Sequence, residues 1–155
     1  MKIIFVCGPA FSGKSTYIQK HYPDATIVDL GSFVESVNEA ETNEEIELMG
    51  VNIETYCHEE FKNLVSFARE DEVLVLEHPL LKKEERLSYL ETVRSVTDCP
   101  VDCILIAPET SVVEKALKKQ AQLVTVYVYE KRIMETPTVD EGFASVTIVH
   151  PEFEE

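Results

Sequence analysis

Gly8, Gly13, Lys14 and Ser15 stand at the spacing G-x-x-x-x-G-K-S, a set of residue types suited to holding a chain of phosphates. The glycines let backbone N–H groups turn toward one point and form a concave nest for an anion. Pro9 and Ser12 lie within that loop, Lys14 offers a point charge to the β- and γ-phosphates, and Ser15 offers a hydroxyl to Mg²⁺. Thr16 adds a hydroxyl near the α-phosphate. A helix starting here aims its positive end at the same anion. The chemistry implied is the binding of ATP with Mg²⁺. The competing reading is a chance match in a surface turn. Against it stand an apolar run before the loop and Tyr17-Ile18-Gln19-Lys20 after it.

An acid that takes the proton of an attacking alcohol, or helps hold a metal, belongs at the carboxyl end of a neighbouring strand, where open α/β sheets place ligand-contacting groups. Two residues qualify. Asp29 closes the run Ala25-Thr26-Ile27-Val28, and Glu77 closes Val73-Leu74-Val75-Leu76. Asp29 is a candidate general base, although aspartate after a strand also serves simply to form turns. Glu77 is a candidate for the Mg²⁺ shell beside Ser15.

The elements that must position these groups follow from periodicity. Ile3 to Val6 is a continuous run of β-branched and aromatic residues, the pattern of a strand buried on both faces. Ser15 to His21 predicts the first helix, stopped at Tyr22-Pro23-Asp24 because proline disfavours helical geometry in the residue before it. Gly31 and Ser32 suggest a turn into another helix. From Asn43 to about Glu70, apolar residues at Ile46, Met49, Ile53, Cys57, Phe61, Leu64 and Ala68 recur every three or four positions, predicting a long helix that Gly50 kinks or splits.

Lys82 to Val96 predicts a charged helix with Leu87, Leu90, Val93 and Val96 inward, and Val101 to Ala107 a fourth strand. Ser111-Val-Val-Glu114 is a capping-box pattern opening a helix through Ala121. Local signals then conflict: Leu123 to Tyr129 reads as a strand by propensity, whereas Tyr129 to Thr136 suits a helix ended by Pro137. Val146 to Val149 predicts a last strand, and 151–155 an acidic tail that frays. The alternation argues for an α/β fold, a parallel, doubly wound sheet in one domain over 1–150.

Composition narrows the partners. The net charge of −15, from 29 acidic against 14 basic residues, disfavours broad contact with nucleic acid; acidity also serves solubility alone. Between His21 and Phe61 there are eleven acids and no lysine or arginine. Most of them suit a solvated helix face. No segment reaches the ~20 apolar residues a membrane helix needs, and Cys7, Cys57, Cys99 and Cys103 lack C-x-x-C pairing. A cytoplasmic chain with reduced thiols, no leader and no membrane anchor is the expectation.

Taken in order, these signals resemble the small P-loop kinases related to the kinase domain of phage polynucleotide kinase, a group that includes zeta-toxin-like and other AAA-type predicted kinases. The resemblance rests on Gly8-Pro-Ala-Phe-Ser-Gly-Lys-Ser-Thr16, the acid closing the second strand, Leu81-Lys-Lys-Glu-Glu-Arg-Leu87 after the third, and Pro137-Thr-Val-Asp-Glu-Gly-Phe143 near the end. It implies a three-layer P-loop NTPase fold with five parallel strands, a short lid after the fourth strand and a helix over Tyr127 to Met134. It also implies that Asp29 accepts the proton of the attacking hydroxyl. Three departures stand out. Leu30, Gly31, Ser32 and Phe33 follow Asp29 where polynucleotide kinases carry an arginine. Lys115, Lys118 and Lys119 occupy the lid where arginines would supply a bidentate fork. Glu77 stands where aspartate is common.

The expectation is an ATP-dependent phosphotransferase in which Lys14, Asp29, Lys118 and Lys119 are catalytic. Because the acceptor side falls in the stretch without lysine or arginine, the acceptor is expected to be a neutral or cationic small molecule. Two alternatives remain open: a nucleotide-binding interaction protein that docks a basic protein partner, and a 5′-hydroxyl polynucleotide kinase using Lys82, Lys83 and the lid lysines.

Overall fold

The computed structural model describes residues 1–29, 53–118 and 120–152. Strands β1 (Lys2–Cys7), β2 (Thr26–Asp29), β3 (Val73–Glu77), β4 (Val101–Ile106) and β5 (Ser145–Val149) form one sheet in the order β2-β3-β1-β4-β5, and every pairing is parallel. Helix α1 (Lys14–His21) follows β1, α2 (Ile53–Ser66) precedes β3, and α3 (Lys83–Arg94) joins β3 to β4. Two helices, α4 (Thr110–Ala116) and α5 (Ala121–Ile133), lie between β4 and β5, the place expected for a lid. The expected five-stranded parallel α/β fold is present.

β1 runs down the middle because both of its faces are apolar. Ile3, Phe5 and Cys7 join a core with Phe61 of α2, Tyr89, Leu90 and Val93 of α3, and Phe143. Ile4 and Val6 point the other way, against Ile18 of α1 and Ile104 and Ile106 of β4. Phe5 makes T-shaped contacts with two rings, Phe61 at 6.0 Å and Phe143 at 5.7 Å between centroids. Such T-shaped pairs add to plain burial.

Several sequence expectations need correction. Leu87, expected inward, is 39% exposed, and Tyr89 and Arg86 are buried instead. The capping box at Ser111 does not form: α4 begins one residue earlier, makes no side-chain cap, and ends at Ala116 before a separate helix starts at Ala121. Of the long helix expected from Asn43, 53–66 is seen as α2; Ile46, Met49 and Gly50, with the turn at Gly31 and Ser32, lie outside the described residues. The strand propensity of Leu123 to Tyr129 is overridden, for these residues are helical in α5. Tyr127 fixes the helix by burying its ring and donating its hydroxyl to the Pro108 carbonyl.

Arg86 is fully buried, and all its bonds close the same corner of the fold. Nε donates to Glu141 Oε1 at 2.7 Å, Nη2 to Glu141 Oε2 at 3.2 Å, and Nη1 to the Leu80 carbonyl at 2.9 Å. Glu141 in turn accepts the Thr138 N–H at 2.9 Å in a capping box that starts a short 3-10 turn. The Leu81 to Leu87 and Pro137 to Phe143 signatures are thus two halves of one buried ion pair.

Breaking such a pair leaves a charge without solvent or partner, which costs about 3–5 kcal/mol. Arg86→Met should lower unfolding stability by that amount in urea titrations. A loss below about 1 kcal/mol, the scale of a surface pair, would show that the corner does not depend on it.

Candidate functional site

The loop after β1 is shaped by steric limits before it is shaped by charge. A Cβ on Gly8 would stand 2.3 Å from the Ile106 carbonyl oxygen, and φ there is 147°. Only glycine fits. Gly13 sits at the mouth of α1 in the left-handed region, φ 93° and ψ 26°, where a side chain is strained. Ser12 N–H closes the turn from within on the Pro9 carbonyl at 3.2 Å, and Gly8 N–H ties its start to the Pro79 carbonyl after β3 at 3.0 Å.

Lys14 folds back over this turn, its Nζ donating to the Gly8 and Pro9 carbonyls at 2.9 Å each. Burial lowers its pKa, and the charges of Glu77, Glu130, Cys7 and Asp29 oppose that shift. The backbone amides of Lys14, Ser15 and Thr16 lie in the first turn of α1, where a helix has no partner for them. They are the donors left for an anion.

Ser15 donates its hydroxyl to the Glu77 carboxylate, so the sequence-predicted metal pair is brought together. Hydroxyl and carboxylate oxygens are the donors a hard divalent cation takes, and Ser15 and Glu77 therefore fit Mg²⁺. Asp29 is the register partner of Glu77 across β2 and β3, as Val6 is across β1 and β3. The two acids and the phosphate loop thus share the carboxyl edge of three adjacent strands. Asp29 is exposed, and its charge is felt by both Lys14 and His78.

Not every expected residue faces outward. Ser12 is fully buried beneath the loop with its hydroxyl unpartnered, so as it stands that side chain shapes the turn rather than meeting a ligand. Lys118 is exposed in the turn after α4, and Lys119 lies outside the described residues. Thr16 lines a cavity of about 860 Å³ beside the loop with Gly13, Tyr17, Lys20, Val149 and Pro151. That volume suits a nucleoside.

Two residues at the site were not anticipated. Glu130 of α5 accepts the Ala10 N–H at 2.8 Å, placing a carboxylate on the phosphate loop itself. A helical reading of 121–133 could have found it, since Tyr127, Glu130, Lys131 and Met134 fall at one-face spacing. His78 follows Glu77 and has a buried, unpartnered Nδ1. Burial, with a contribution from the Lys14 charge, pushes its pKa down to about 4, so the ring is neutral at ordinary pH.

A nest of amides at a helix mouth, a lysine folded over it and a serine joined to a strand-end acid have the geometry of a phosphate-binding loop. Comparison with solved structures gives the fold a more particular likeness. A provisionally assigned kinase from Chloroflexus aurantiacus superposes with TM-score 0.65 at 14% identity, over 96% of this chain and 84% of that one. A sugar kinase from a Janibacter species gives 0.59 at 16%, over 97% and 85%. A fungal RNA kinase gives 0.59 at 15%, over 99% and 77%. No protein-family model and no curated protein sequence matches the chain. The chain has the fold of the P-loop kinases.

Saturating nucleotide at about 100 times its Kd stabilises a protein by about 2.7 kcal/mol. Wild type should show that rise in thermal unfolding with ATP and Mg²⁺. Lys14→Ala should lose nearly all of that rise, measured against its own unfolding temperature without ligand.

Proposed function

We propose that the protein is an ATP-dependent phosphotransferase that moves the γ-phosphoryl group to a hydroxyl of a neutral or cationic small molecule. The observation that carries this reading is the alignment of Asp29 and Glu77 in register beside the phosphate loop. Binding alone needs the loop, Lys14 and the first turn of α1. Transfer additionally needs a base on the acceptor side, and Asp29 stands there.

In this reading the α1 amides and Lys14 hold the phosphates, and Ser15 and Glu77 would hold Mg²⁺, which would supply neutralising charge there. Asp29 takes the proton of the acceptor hydroxyl as its oxygen forms the new bond to phosphorus, and ADP leaves. Positioning and electrostatic stabilisation carry most of the rate, because phosphoryl transfer asks little covalent chemistry of the protein. Lys14 is the cation placed to oppose the developing charge; the exposed Lys118 would have to approach from the α4–α5 turn.

The fold leaves the acceptor open, since a sugar kinase and an RNA kinase superpose about equally well. Local charge supports a small molecule. Lys82 and Lys83, the residues that would build a groove for nucleic acid, line a cavity of about 850 Å³ together with Glu54, Glu84, Glu85, Glu91 and Glu135. Lys82 is moreover committed to the Ile133 carbonyl at 2.9 Å. A polyanion meets more repulsion than attraction there.

Asp29→Asn should reduce phosphoryl transfer by about 10²–10⁴-fold, the usual worth of a general base, while leaving nucleotide-dependent thermal stabilisation intact. A screen of radiolabelled ATP against small alcohols, amino alcohols and oligonucleotides identifies the acceptor class. Transfer to oligonucleotide ends alone would overturn the small-molecule reading; no transfer at all, with an ATP-dependent complex forming on a basic protein, would favour a binding role.

A further inference from the structure

The contact between Glu130 and the phosphate loop has no role in the chemistry above. Its oxygen sits 2.8 Å from the Ala10 N–H, a charge-assisted bond of the kind that phosphate oxygens make with such loops. The carboxylate is held there by its helix. One turn earlier Tyr127 is fully buried and bonded to the Pro108 carbonyl, and the next residue, Lys131, donates to that same carbonyl at 3.2 Å. Glu130 therefore reaches the loop from a fixed backbone.

Its place along the phosphate track follows from the loop residue it holds. Glu130 holds Ala10, and the residue before it, Pro9, accepts Nζ of Lys14 at 2.9 Å, the side chain that serves the β- and γ-phosphates. The carboxylate thus lies at the terminal-phosphate end of the loop, where a third phosphoryl group brings added negative charge.

We propose that Glu130 is a resident anion of the phosphate loop and a specificity-determining residue for nucleotide charge, weakening the hold on a triphosphate more than on a diphosphate. It competes for the Ala10 N–H and repels the terminal phosphate. This rests on the reading that the loop binds nucleotide.

The test is calorimetric titration of ADP and of a non-hydrolysable ATP analogue, each with Mg²⁺, into wild type, Glu130→Gln and Glu130→Asp. Glutamine keeps the shape and an oxygen acceptor and removes the charge. Relief of one like charge at close range, after screening, corresponds to about tenfold. Glu130→Gln should therefore bind the triphosphate about tenfold tighter, with a clearly smaller gain for ADP. Glu130→Asp keeps the charge and should keep the wild-type preference. Equal or weaker triphosphate binding by a folded Glu130→Gln would reduce Glu130 to an anchor of the loop and overturn the proposal. Should wild type bind neither nucleotide, the phosphate-site reading and this one fall together, a result distinct from the first.

Discussion

The arrangement of the site depends on a buried guanidinium having all its partners. Arg86 bonds Glu141 twice and the Leu80 carbonyl once, with no exposure to water. That geometry fixes the connection after β3, where Leu80 takes a φ of 46° that few side chains adopt. One residue earlier, the Pro79 carbonyl receives the Gly8 N–H, and two residues earlier the His78 N–H bonds the Val6 carbonyl. The start of the phosphate loop is therefore pinned to a segment that the ion pair pins to α3 and the 138–141 turn. A buried pair of this kind is weak support for stability in itself, since desolvation offsets much of the attraction. Its value here is geometric.

The loop balances competing electrostatic demands. Desolvation of Lys14 favours the neutral amine, whereas a phosphate site needs the ammonium. Glu77, Glu130 and Asp29 act against the loss of charge, and the Gly8 and Pro9 carbonyls accept its hydrogen bonds. Carboxylates that keep the lysine charged also oppose an incoming polyanion.

Local periodicity and one motif made most of this legible. The phosphate loop, the five strands, and Asp29 and Glu77 at strand ends could be read because a buried parallel strand is a continuous apolar run and its carboxyl end is where a ligand group belongs. What could not be read required partners distant in sequence. Arg86 looked like one more charge on an exposed helix face until Glu141, 55 residues away, was seen to neutralise it. Leu87 looked like the inward residue for the same reason. Glu130 was hidden because its partner Ala10 lies 120 residues away, and Ser12 because a loop residue gives no sign of which way its hydroxyl turns.

α5 shows how tertiary contacts decide a segment whose own sequence is ambivalent. Val124, Val126, Val128 and Tyr129 lose rotamer freedom in a helix, and the last three are exposed, so their burial does little to compensate. The helix instead stands on Tyr127 and Lys131 at the Pro108 carbonyl and on Glu130 at Ala10. Two of these three contacts hold the chain just beyond β4, and the third touches the phosphate loop. With Lys82 donating to the Ile133 carbonyl at 2.9 Å at the far end of α5, these contacts hold as a helix a segment whose own side chains favour a strand.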